Sequence, residues 1–205
     1  MHTLYSMQAS GNCYKLRLAM AQLGVAFRLV DVDTLKGETR TPAFLAMNAN
    51  GKIPLLKLES GEYLPESNAA LFYLAEGSAL IPDDRLHRAR MLQWMFFEQY
   101  SHEPYIAVAR MWRSYVPGGL EEKAEQFPEW EKNGYQALDV MEEHLSTQPY
   151  FAREAYCLAD IALYAYTHMA NEGGFDLSRY PHIRRWLQRV ADQPGHVPLS
   201  WRPET

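Results

Sequence analysis

Cysteine is scarce in this chain: Cys13 and Cys157 are the only two among 205 residues. Two cysteines cannot build a disulfide framework, and they lack zinc-ligand spacing, so neither a stapled fold nor a metal site is expected. A reducing cytosol is the natural setting for such a sequence. Long apolar runs are missing too. No stretch approaches the ~20 residues needed to span a bilayer, and Met1-His2-Thr3-Leu4 has neither the basic start nor the apolar run of a signal peptide. A cytoplasmic protein with no membrane partner is therefore expected. Runs of lysine or arginine are absent, and 25 acidic against 20 basic residues leave a formal net charge of −5. A basic face for nucleic acid is not expected. There is no internal repeat and no low-complexity segment.

What is present is an ordinary globular composition, 47% hydrophobic and 22% charged, long enough for one large domain or two small ones. Thirteen Tyr and five Trp make it aromatic-rich, so some of these rings are available to line a ligand site. Residues 2–5 read as a strand. Residues 11–23 read as an amphipathic helix, with Leu16, Ala19, Met20 and Leu23 at helical spacing and Gly24 as its stop. Residues 26–32 are β-rich. Thr41-Pro42 opens a helix that runs to about Met47 and leaves through Asn48-Ala49-Asn50-Gly51. Residues 54–58 and 62–64 form a hairpin around Ser60-Gly61, and Glu66-Ser67 opens a third helix ending near Glu76-Gly77. The order βαβ, then α, then ββα implies a mixed sheet with helices against it.

Residues 77–84 read as a linker. Beyond it the pattern is all helical. A helix over Leu86 to Tyr100 should be kinked or broken by Pro104. Residues 120–145 continue at helical spacing. Residues 160–169 are nearly all apolar and belong at the centre of a second domain, and Ile183, Trp186, Leu187 and Val190 mark a last helix. The segment from Pro194 carries three prolines and reads as irregular. The expected division is an α/β domain over residues 1–77 and an all-α domain over residues 85–205.

Five short motifs carry chemistry. Ser10, in Ser10-Gly11-Asn12-Cys13, stands where an N-cap belongs. The helix start behind it has unpaired N–H groups and a partial positive charge, so its hydroxyl either just caps the helix or also donates to an anion such as a thiolate. Ile53-Pro54 is an ordinary trans proline at a strand start, or a cis one that turns the Ile53 backbone outward to pair with an extended peptide. At Glu66-Ser67, Ser67 can cap the helix while Glu66 favours its positive end; with a ligand, the pair would hold a carboxylate and its neighbouring ammonium. Residues 156–161, Tyr-Cys-Leu-Ala-Asp-Ile, have the form of a capping box with a hydrophobic staple, a folding device in which the Cys157 thiol is a weak acceptor and Asp160 reaches back. Cys13 is either a reactive thiol near a helix start or, more commonly for its type, a small buried apolar side chain.

In order and spacing, Ser-Gly-Asn-Cys at 10–13, Asn-Gly-Lys-Ile-Pro at 50–54, Glu-Ser at 66–67 and Leu-Ala-Asp at 158–160 resemble the glutathione S-transferase family over essentially the whole chain. Among its branches, the bacterial, serine-containing theta-like or nu-like ones are the most similar. The resemblance implies a thioredoxin-like N-terminal domain, βαβαββα, followed by an all-helical C-terminal domain. It implies glutathione as co-substrate and no metal. Pro54 would be cis, Ile53 would pair by backbone with the cysteinyl unit, Lys52 would meet the glycine carboxylate, and Glu66 and Ser67 would hold the γ-glutamyl end. Ser10 would donate to the sulfur, with Asn12 as second candidate. The second helix lacks the His or Gln that some relatives bring to the glycine end, having Thr39 and Arg40 there. A hydrophobic electrophile would lie near Tyr105, Trp112 and Tyr115, rings that also suit a helical core. The family implies a two-fold homodimer and thiol conjugation. Glutathione-dependent disulfide or peroxide reduction is the near alternative, though serine replaces at position 10 the cysteine of relatives that form mixed disulfides. A non-catalytic ligand-binding or interaction protein is the distant one.

Overall fold

The computed structural model describes residues 1–203. The chain divides into two compact units. One is Met1–Ser78 together with the segment from Pro194 onward; the other is Ala79–Gln193. The C-terminal segment, counted with the helical half in the sequence, thus belongs to the first unit.

In the first unit β1 (His2–Ser6), α1 (Gly11–Leu23) and β2 (Phe27–Asp31) come first, then α2 (Pro42–Met47), β3 (Leu55–Lys57), β4 (Tyr63–Pro65) and α3 (Ser67–Ala75). The sheet order is β2-β1-β3-β4. β1 runs parallel to β2, with Leu4 opposite Leu29, and antiparallel to β3, with Leu4 opposite Leu56. A parallel pair needs a crossover, and α1 supplies it. Helix α1 forms where the sequence places it because both ends are specified. Ser10 caps the start. Gly24, at φ 65°, closes the end, and Val25 N–H returns to the Met20 carbonyl at 2.9 Å. Leu16, Leu18, Ala19 and Met20 are fully buried, and on the sheet Val32, Phe44 and Leu55 form a core that Tyr5, Met47, Ile53 and Tyr63 cover. This mixed sheet with its helices is the thioredoxin-like arrangement.

β2 and β3 are shorter than the sequence suggests, while β1 runs one residue further, to Ser6, and β4 is shifted by one; β3 starts at Leu55 because Pro54 lacks the N–H a ladder needs. Helix α3 corrects another expectation. Its N-cap position is held by Glu66, at φ 69° and ψ 114° with no side-chain capping bond, and Ser67 is the first helical residue. Ser67 is therefore not the cap.

The second unit is helical: α4 (Arg85–Phe97), α5 (Glu103–Ser114), α6 (Gly119–Glu122), α7 (Phe127–Thr147), α8 (Leu158–Thr167) and α9 (Pro181–Ala191). The break before Pro104 is a π-helical turn over Glu98–His102, and the proline sits in the first turn of α5, where its missing N–H is harmless. The pattern over residues 120–145 resolves into the short α6 and the long α7. Every residue of α8 is buried, as its apolar run requires.

The start of α8 is closed from within. Asp160 is fully buried. Its Oδ1 accepts from Trp186 Nε1 at 2.9 Å and Phe151 N–H at 3.2 Å, and its Oδ2 accepts from Cys157 N–H at 3.0 Å. The Cys157 thiol donates to Oδ2 at 3.3 Å. The cysteine thus keeps the acceptor position of the capping box that the sequence gives it and in addition donates to Asp160. Burial pushes the Asp160 carboxyl up to about 6 against the pull of these donors.

Candidate functional site

In the first unit two helix starts meet. Ser10 holds extended backbone, and its Oγ accepts from Cys13 N–H at 3.3 Å. Two residues along, Asn12 Oδ1 accepts from Ser67 Oγ at 3.3 Å. Lys15, buried among apolar neighbours, donates its Nζ to the same Ser67 Oγ at 3.4 Å. The serine at the start of α3 is thereby joined to the first turns of α1. Asn12 and Lys15 are three apart and share a helix face. Lys15 escaped sequence reasoning because a lysine between apolar residues ordinarily reads as solvated surface; its i+3 relation to Asn12 was the available signal.

The Ile53–Pro54 peptide bond is cis, and Ile53 precedes the β3 ladder. Lys52 is exposed, and its carbonyl accepts from Asn48 Nδ2 at 2.8 Å, which fixes the loop from within. Arg40 reaches the same loop, with Nη1 donating to the Asn50 carbonyl at 3.2 Å. The Glu66 side chain is exposed. Its left-handed φ is the one such value among described non-glycine residues, and holding it costs about 1–3 kcal/mol. Cys13 is fully buried, and burial raises its thiol above the ordinary range while hydrogen bonding from Ser10 opposes the rise. That is the behaviour of a small core side chain, not of a nucleophile.

Arg17 is a second buried cation on α1. It donates to Ser6 Oγ and to the Gln8 carbonyl, both at 2.9 Å, and to the Leu199 carbonyl at 3.0 Å. Tyr14 O–H donates to the Val197 carbonyl at 2.6 Å, Arg202 pairs with Asp31 at 2.6 Å, and the Trp201 ring packs 6.3 Å from Phe27. The irregular C-terminal segment is therefore ordered by polar anchors.

The three aromatic candidates for a second substrate lie on or just after α5 in the second unit. The Tyr115 hydroxyl accepts from Arg110 Nη2 at 2.7 Å and donates to Glu172 Oε2 at 3.1 Å, which commits it to a structural network. Trp112 lies beneath Lys123, whose Nζ is 4.6 Å from the ring centre, and Tyr105 is half-buried. Among the described residues no group of three or more His, Cys, Asp or Glu is placed to hold a metal ion, and no helix is long and apolar enough to cross a membrane.

The family model for the glutathione S-transferase N-terminal domain matches residues 2–76, and that for the C-terminal domain matches residues 92–194. The chain belongs to the glutathione S-transferase family. Two solved transferase structures align over nearly its whole length. One, from Pseudomonas fluorescens Pf-5, shares 55% identity over 97% of this chain and 98% of its own, with a TM-score of 0.93. The other, a possible glutathione S-transferase from Rhodopseudomonas palustris, shares 51% over 98% and 99%, with a TM-score of 0.96. Among curated proteins, disulfide-bond oxidoreductase YfcG of Escherichia coli strain K12 is 28% identical over 90% of this chain and 87% of its own. The joined starts of α1 and α3 thus lie in the transferase N-terminal domain.

Proposed function

We propose that this transferase binds glutathione on the first unit and stabilises its thiolate for attack on hydrophobic electrophiles. The observation that carries the reading is the hydrogen-bonded join of Asn12, Lys15 and Ser67, which sets two helix N-termini side by side. Helix starts favour anions, and glutathione presents two carboxylates and a sulfur that must become one. Glu66 takes the ammonium of the γ-glutamyl end and Ser67 its carboxylate. Ile53 pairs with the cysteinyl backbone, with Pro54 shaping that turn, and Lys52 meets the glycine carboxylate. Ser10 donates to the sulfur, with Asn12 two residues along as its alternate.

A free thiol, with a pKa of about 8.5, is only a few per cent thiolate at neutral pH. Lowering it by about two units asks the site for about 2.7 kcal/mol of preference for the anion. A hydroxyl hydrogen bond and a helix start together can supply that. Once the thiolate is the resting form, no general base is needed. Of the aromatic candidates, Tyr105 and Trp112 contribute to the electrophile's pocket while Tyr115 is held by Arg110 and Glu172, and a cytoplasmic homodimer is the working assembly, two-fold dimers being the commonest kind.

The name of the Escherichia coli relative, a disulfide-bond oxidoreductase, favours a second reading, disulfide reduction: the same thiolate attacks one sulfur, the S–S bond breaks with the other sulfur leaving as thiolate, and a second glutathione resolves the mixed disulfide. Glutathione-dependent peroxide reduction, by attack on oxygen with loss of the other oxygen as alkoxide, is its near variant. A non-catalytic binding role would leave Ser10 dispensable. Titration of glutathione into wild type and Ser10→Ala, with thiolate absorbance followed against pH, tests the proposal. The expected result is saturable binding with a depressed thiol pKa that relaxes by about one to two units in the variant. No binding at millimolar glutathione would overturn it, and turnover of disulfides but not of aryl or alkyl electrophiles would select the second reading.

A further inference from the structure

The turn that presents Ser10 is held from two sides. It spans Met7 to Ser10, between β1 and α1, and closes with Ser10 N–H donating to the Met7 carbonyl at 3.0 Å. On the core side Arg17, fully buried, donates Nη1 to Ser6 Oγ and Nη2 to the Gln8 carbonyl, both at 2.9 Å. On the other side the half-buried Gln8 carboxamide reaches the C-terminal segment. Its Nε2 donates to the Leu199 carbonyl and, at 3.2 Å, to the Trp201 carbonyl, and its Oε1 accepts from Arg202 Nη1 at 3.3 Å. A glutamine at a turn ordinarily faces water; this one commits both ends of its amide to a segment 191 or more residues away.

The segment that receives Gln8 is itself fixed within the first unit. Tyr14 holds the Val197 carbonyl, Trp201 packs on Phe27 and Arg202 pairs with Asp31. Arg17 Nη2 also donates to the Leu199 carbonyl at 3.0 Å. Arg17, Gln8 and Leu199 therefore close a ring of hydrogen bonds, in which the Leu199 carbonyl uses both lone pairs. Two residues beyond Gln8 stands the Ser10 hydroxyl. A hydrogen bond depends on direction as well as distance, and a misplacement of about 1 Å can cost roughly a hundredfold in rate. The contacts behind a reacting group decide whether it is held that closely.

We propose that Gln8 is a positioning residue for thiolate stabilisation: its ties to residues 199–202 fix the turn so that the Ser10 hydroxyl points at the glutathione sulfur. The inference rests on the reading of Ser10 as the donor to that sulfur. It makes the C-terminal segment a brace for the thiol-activating turn.

The test uses Gln8→Met, which keeps the length and bulk of the side chain and removes its hydrogen bonds to the segment. Glutathione is titrated calorimetrically into the full-length wild type, Gln8→Met, Ser10→Ala and the double variant, and the bound thiol is followed by thiolate absorbance against pH. Gln8→Met is expected to raise the bound thiol pKa by about half a unit to one unit, roughly three- to tenfold in its acid dissociation constant. At about pH 5, where the thiol keeps its proton, affinity is expected to stay within about twofold of wild type. In the Ser10→Ala background Gln8→Met is expected to add no further rise, because it acts through that hydroxyl. An unshifted pKa in Gln8→Met beside a raised one in Ser10→Ala would overturn the positioning role and leave the proposed function standing. The same rise with and without Ser10 would overturn it too, as would a lower melting temperature and weaker binding with no rise, the mark of a merely structural residue. An unshifted pKa in Ser10→Ala would overturn both readings.

Discussion

Helices α3 and α8 begin in opposite ways. The start of α8 is sealed: Asp160 gathers four donors, two of them from Cys157, and all are buried. The start of α3 has an exposed Glu66 in a left-handed conformation with no side-chain cap, followed by a serine whose hydroxyl is turned toward α1. A helix end that satisfies itself adds stability and has nothing to offer a ligand. A helix end that spends backbone strain and keeps its first turn open lowers stability and has anion-seeking N–H groups to offer. The contrast separates a folding device from a binding device more sharply than either motif does alone.

Four substitutions or conditions probe that contrast. The largest effect is expected for Asp160→Ala. It strands four buried donors and should lower the unfolding free energy by about 3 kcal/mol or more in urea denaturation, while the folded fraction still binds glutathione; a loss below 1 kcal/mol would mean the seal is not structural. Next comes pH. Asp160 keeps its proton up to about pH 6 when folded, whereas an unfolded aspartate releases it near pH 3.9. Between these values the folded state binds a proton the unfolded state lacks, so stability falls as pH rises through the window and levels off above it. Relative to Asp160→Asn, the fall should be about 2–3 kcal/mol between pH 4 and pH 7. A rise instead would show that the four donors hold the carboxylate ionised and outweigh burial.

Glu66→Gly comes third and should move stability and binding in opposite directions. Removing the side chain from a left-handed position should stabilise by up to about 1 kcal/mol, and loss of the carboxylate should weaken glutathione about tenfold; a variant weakened in both respects would mean that Glu66 is structural. Smallest is Cys157→Ser. A hydroxyl donates better than a thiol, so the change should lie between zero and about 1 kcal/mol of stabilisation, and a clear drop in melting temperature would count against the geometry described.

The legible parts of this fold were those where local chemistry decides. Ser10 and Gly24 bracket α1, Thr41-Pro42 opens α2, and the apolar run of α8 could only be buried. The sequence pattern offers Ser67 as a cap, whereas Glu66 holds that position because its positive φ is imposed by the surrounding fold, and no local rule places a glutamate there. Lys15 and Arg17 were hidden for a related reason: buried cations depend on acceptors distant in sequence. Ser67 lies 52 residues from Lys15, and Leu199 lies 182 from Arg17. Of the candidate site, Ser10, Asn12 and Ser67 could be named from sequence, but the contact that joins two of them could not.

The anchoring of residues 197–202 on Gln8, Tyr14 and Arg17 has a consequence for biosynthesis. A ribosome makes Arg17 early and the carbonyl of Leu199 some 182 residues later, at about 5–20 residues per second. For roughly ten seconds or more the nascent first unit carries a guanidinium that has Ser6 and Gln8 to bond but lacks its third acceptor, the Leu199 carbonyl. The half of the molecule that begins to fold first is thus the last to be completed, and its completion waits on translation of the whole helical unit.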